Sequence, residues 1–275
     1  EFNKYFSSIA SELNESIDEI TVSGSNFQSF GDYIGNSSKN SIVLENCTAD
    51  EVLNIIAELN NGKASDIPVH VIKKVSHVIS PKLAEYFNVL MINGVFPDVL
   101  KVGKITPIYK KGNSELLENY RPVSTLPIFG KIFEKVIYSR LYSFLDSQNT
   151  LHDKQFGFRK SHSTSHALNY SIHHIKSLVN KKKHVLGIFI DLSKAFDTID
   201  HEILLFKLDR YGIRGLAHGL LKSYLSNRIQ YTDVLGEKSD KLYVKFGVPQ
   251  GSVLGPLLFL LYINEIKNCS KLGDY

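Results

Sequence analysis

The sequence predicts an α+β fold in which an antiparallel sheet is backed by helices. Apolar side chains recur at helical spacing through several long stretches, and two pairs of extended segments bounded by Gly, Asn and Pro read as hairpins. Composition supports a packed interior, since 43% of the 275 residues are hydrophobic and 22% charged. The composition shift near residue 45 divides the chain into a polar helix with a linker over 1–45 and a compact unit over 46–275.

Residues 1–20 form the first expected helix, with Phe2, Tyr5, Phe6, Ile9, Leu13 and Ile17 near helical spacing. Residues 21–41, rich in Ser, Asn and Gly, read as a linker. Thr48 and Glu51 make a capping box that opens a helix, which Gly62 stops. Ser80 and Pro81 open the next, which carries Leu83, Tyr86, Phe87, Leu90 and Met91. Lys104–Lys111 alternates around Pro107 and suits an edge strand, because proline cannot donate to a ladder. With the extended piece from Asn119 it forms a basic hairpin. Helices follow over 130–145 and 163–179, the second running into Lys181, Lys182 and Lys183, where cations complement the helix dipole.

Val185 to Ile190 reads as a buried strand that ends abruptly in Asp191. Helices are expected from Asp200 or His201 to Tyr211 and from Leu216 to Ser226. Ile229–Leu235 and Lys241–Phe246 read as a hairpin turning at Gly236, and a long apolar helix starts near Gly255 or Pro256.

The formal net charge of +4 leans towards an anionic partner without the strong bias of a dedicated DNA-binding arm. Cys47 and Cys269 are far apart and have no ligand-spaced partners, which argues against a disulfide framework or a zinc site and points to a reducing, intracellular setting. No run approaches a membrane span, and Leu257–Ile263, the longest apolar stretch, suits a core helix.

A carboxylate at the tip of an apolar strand is costly unless it meets a cation, so Asp191 is the first candidate for chemistry. By itself it also reads as a helix N-cap. Asp197, Asp200 and His201 lie where a helix starts and read as structural. Gly247-Val248-Pro249-Gln250-Gly251 breaks regular structure with a backbone that can approach a ligand closely. Gln155-Phe156-Gly157-Phe158-Arg159-Lys160 joins aromatic and basic side chains in a mixture suited to single-stranded nucleic acid, or to anchoring a loop in the core.

Four ordered blocks carry a resemblance. Asp191 through Asp197 and Gly247 through Pro256 resemble the A and B boxes of reverse transcriptases; Asn119-Tyr120-Arg121-Pro122 and Gln155 through Arg159 resemble the fingers motifs of the non-LTR, LINE-like retrotransposon branch. The resemblance covers roughly residues 50–275, and 1–45 resembles the variable segment that precedes such polymerases. It implies a right-hand polymerase of fingers and partial palm that copies an RNA template into DNA from dNTPs and a DNA primer 3′-hydroxyl. It also implies two Mg²⁺ ions, with Asp191 and the Leu192 backbone carbonyl as ligands.

In such enzymes Phe196 corresponds to the ring that excludes a 2′-hydroxyl, and Gln250 and Gly251 to nucleotide and template positioning. Arg121, with Lys110 or Lys111, corresponds to the triphosphate clamp, and Arg159 to a template contact. Family members pair the A-box aspartate with an aromatic-Ala-Asp-Asp box, and Asp274-Tyr275 is as near as this sequence comes. The chain as written is therefore expected to lack activity by itself. A non-catalytic RNA-binding remnant and a group II intron-type enzyme are the alternative readings.

Overall fold

The computed structural model describes residues 1–21 and 37–269. Its architecture is built on helix α5 (Ile128–Ser147), which buries Ile132, Phe133, Val136, Ile137, Leu141 and Leu145. Helices α2 (Ala49–Ala57), α3 (Val69–Lys74), α4 (Ser76–Asn93), α7 (His201–Arg210), α8 (Gly215–Leu225) and α9 (Gly255–Ile263) contribute to the same core. Phe133 stacks between Phe87 and Phe96, with ring centroids 4.7 and 5.2 Å away. Each large side chain enclosed there contributes about 1.5–3 kcal/mol of transfer free energy.

Side-chain caps set some of the helix starts. Thr48 Oγ1 accepts the Glu51 N–H at 3.1 Å at the start of α2, and Asp200 accepts the N–H groups of Glu202 and Ile203 at the start of α7. Helix α4 begins at Ser76, one turn before the expected Ser80-Pro81 start. Its first turn is closed by Ile79 N–H to Val75 O, and Pro81 frees only the carbonyl of the exposed His77. Helix α3 has no counterpart in the sequence reading, being too short to show a period. Helix α6 (Thr164–Asn180), N-capped by Ser163, is exposed along its length.

The sheet has the order β2-β1-β3-β4, and β5 also pairs with β3. Strands β1 (Gly103–Tyr109) and β2 (Tyr120–Thr125) form the expected antiparallel hairpin. β3 (Arg228–Val234) is antiparallel to β4 (Glu237–Lys238) and β5 (Leu242–Val244), and meets β1 in a short parallel pairing. Thus β1 is an interior strand, which corrects the edge assignment. Pairing with β3 covers only Gly103 to Ile105, so Pro107 lies just past the ladder that would have needed its N–H.

Helix α1 (Phe2–Thr21) lies on this sheet: Phe6 and Ile9 are buried with Ile105, and the Asn3 side chain donates to the carbonyls of Gln230 and Asp240. The linker reading of 21–41 falls largely outside the described residues, as do Asp274-Tyr275 and the Cys269 side chain. Cys47 is a buried free thiol.

The largest departure is at 185–190. These residues form no strand, and Leu186, Ile188, Phe189 and Ile190 are exposed, Phe189 at 99%. An apolar extended segment becomes a buried strand only when another strand supplies its hydrogen bonds, and none does so among the described residues.

Candidate active site

The two blocks around Phe196 and Gln250 assemble into one unit. Two backbone bonds of 2.8 Å join them: Gly247 N–H donates to Ile199 O and Val248 N–H to Phe196 O. The same loop is tied to the hairpin by the Ser124 N–H, which donates to Gln250 O at 2.8 Å. Two glycines permit this approach. Gly247 has φ +79°, and a Cβ there would meet Phe196 O and Asp197 O at 2.7 Å; Gly251 has φ +118°, and a Cβ would meet Ser124 O at 2.7 Å.

A cleft lies along this junction, lined by Gln250, Asp197, Pro122 and Ser124 and roofed by Phe6 and Ala10 of α1. Phe196 packs against Phe259 and Phe158 at centroid distances of 4.9 and 5.6 Å, so its ring is held by the loop after α5 and by α9. Phe158 reaches it from a left-handed backbone position at φ +55°. Next to Phe196, the Asp197 carboxylate accepts from Gln250 Nε2 at 3.0 and 2.8 Å. Burial pushes the Asp197 pKa up, against the pull of the Gln250 bond and of Lys194.

The loop is also held from the core. Glu134, fully buried in α5, accepts the N–H groups of Val253 and Leu254 at 2.6 and 3.0 Å, and so satisfies the donors at the start of α9. Burial raises its pKa, while the Leu254 and Val253 bonds and the nearby Arg228 favour the charged form. His201 completes the frame, its Nε2 donating to Gly247 O at 2.8 Å.

Burial lowers the His201 pKa below its ordinary 6.5, so the unfolded chain takes up a proton before the folded one does. The stability His201 supplies is full above pH 6.5 and is lost as pH falls through the lowered folded value. Thermal midpoints measured between about pH 7.5 and pH 5 should fall less in His201→Gln, which keeps a donor but does not titrate there. Parallel profiles would refute this.

The structure thus brings together Phe196, Gln250 and Gly251. The other candidates stand apart from the cleft. Arg121 is exposed on the face of β2 opposite to Pro122 and Ser124, and Lys110 and Lys111 are exposed at the hairpin tip. Arg159 Nη1 donates to His152 O at 3.1 Å. Asp191 and Leu192 are exposed, and Asp191 makes no hydrogen bond or ion pair among the described residues. Asp200 caps α7 as expected, whereas Asp197 caps nothing and holds Gln250 instead.

Hard Mg²⁺ ions take several oxygen ligands. Among the described residues no group of three His, Cys, Asp or Glu is placed to hold a metal. Asp191 with the Leu192 carbonyl fits part of one coordination shell, and these residues by themselves do not fit a two-ion site. Glu134 has no counterpart among the residues that the sequence singles out, and Asp197, read there as structural, holds Gln250.

The Phe196 turn docks on the Gln250 loop beside a basic hairpin, so the blocks that resemble the A and B boxes form one unit. Residues 108–271 match the family model described as reverse transcriptase (RNA-dependent DNA polymerase). The chain belongs to that family. It is 33% identical over 239 residues to the RNA-directed DNA polymerase from mobile element jockey of Drosophila melanogaster, an alignment covering 86% of this chain and 26% of that protein. It is 35% identical over 223 residues to the probable RNA-directed DNA polymerase from transposon X-element of the same species, covering 78% and 24%. A third relative, the probable RNA-directed DNA polymerase from transposon BS, is 35% identical over 185 residues. The chain spans about a quarter of the length of these relatives.

Proposed function

We propose that this chain is the fingers and first palm portion of a retrotransposon RNA-directed DNA polymerase, acting on an RNA template, a DNA primer and dNTPs. The observation that carries the reading is the docking of the Phe196 turn on the Gln250 loop, which makes the two blocks one unit, with Gln250 lining the cleft. In this reading Asp191 and the Leu192 carbonyl would contribute ligands to Mg²⁺, which would supply charge neutralisation at the phosphoryl group when bound. The protein's own residues orient the nucleotide: Phe196 bounds the sugar, Gln250 and Gly251 shape the pocket, Arg121, Lys110 and Lys111 draw in the triphosphate, and Arg159 meets the template.

Primer extension on an RNA template tests the proposal directly. A full-length polymerase carrying this chain should make DNA from dNTPs; RNA binding without any extension would favour a binding-only protein. Phe196→Ala should lower the preference for dNTPs over ribonucleotides by about tenfold or more, because a steric exclusion is removed rather than a bond. Unchanged sugar selectivity would remove Phe196 from this role.

A further inference from the structure

Gln250 is a bifunctional group: its amide nitrogen donates and its amide oxygen accepts. In this protein one of the two hydrogens on the nitrogen is committed. Both Asp197 carboxylate oxygens lie within 3.0 Å of Nε2, and a carboxylate can only accept, so this pairing fixes which end of the amide faces Asp197. Among the described residues no donor reaches Gln250 Oε1. Asp197 itself is held by its backbone, since the neighbouring Phe196 and Ile199 carbonyls bind the same loop.

We propose that Asp197 is a positioning residue, which takes one Gln250 N–H and so holds the amide in a single orientation, with its acceptor oxygen turned away from Asp197. The ligand group that meets this oxygen is then a donor, a hydroxyl or an amino group of the incoming nucleotide. An acceptor in that position would face Oε1 without a hydrogen and be repelled. The inference rests on the polymerase reading above, and it assigns to Asp197 an effect exerted wholly through Gln250.

That last property gives the test, a double-mutant cycle in primer extension by a full-length polymerase carrying this chain. Asp197→Ala should raise the dNTP KM by about tenfold, as Gln250→Ala does, with a smaller change in kcat. The double variant should be no worse than Gln250→Ala alone, because the second removal acts on an interaction already lost. Asp197→Asn, of the same shape, keeps the fold and should show a partial KM effect, with its thermal midpoint reporting integrity. Independent, multiplying losses in the double variant would overturn the proposal, as would a kcat loss at unchanged KM in Asp197→Asn. Wild-type enzyme that extends no primer would overturn the polymerase reading and this inference with it, whereas normal wild-type extension with additive variants overturns only the inference.

Discussion

Asp191→Asn in a full-length polymerase carrying this chain is expected to reduce primer extension by about three orders of magnitude, the scale of the several kcal/mol that a metal ion contributes to such a transition state. RNA binding should be unchanged. The substitution keeps the side chain's shape and removes the charge that a hard divalent cation requires. Its interpretation is unusually clean, because Asp191 is exposed and makes no hydrogen bond or ion pair among the described residues. The thermal midpoint should therefore stay put while activity collapses. Extension within a factor of about three of wild type would end the assignment of Asp191 to the metal site.

Glu134→Ala should produce the largest loss of stability, about 3–5 kcal/mol, the range for removing one partner from a buried charged network. Two buried donors, Val253 N–H and Leu254 N–H, lose their acceptor, and Arg228 loses a neighbouring negative charge. For a chain of this size the thermal midpoint should fall by roughly 10 °C. Glu134→Gln, which keeps one acceptor oxygen, should lose less than half as much. A midpoint within about 2 °C of wild type in Glu134→Ala would show that the start of α9 does not depend on this carboxylate.

Helices such as α5 and α9 were legible because burial of one face, or of all faces, leaves a periodic or continuous apolar record. The hairpin β1–β2 was legible from its turn residues. Its place inside the sheet was not, because β3 lies more than a hundred residues further along the chain and sequence spacing carries no sign of such a pairing. The 185–190 segment shows the converse: six residues of strand character record what the segment can do, and strand formation also needs a neighbour.

At the site, Phe196, Gln250 and Gly251 were found through ordered blocks. Asp197 and Asp200 both read as structural, since a carboxylate just ahead of a helix looks like a cap; three-dimensional docking gives the cap to Asp200 and the Gln250 contact to Asp197. Glu134 did leave a trace. It shares a helical face with Ile137 and Leu141, three and seven residues on, and a lone acid on an apolar stripe is a signature of a buried acceptor.

The fastening of the Gln250 loop to the hairpin has a further effect, on association. In the β1–β2 ladder Lys110 N–H points to Asn119 O, so the alternating donors of Tyr120, Pro122 and Ser124 face outward from β2. Tyr120 donates to Leu117 O, Pro122 has no N–H, and Ser124 donates to Gln250 O. The outer rim of the sheet thus offers a passing strand no free donor, and the protein is protected from growing by strand addition along that edge.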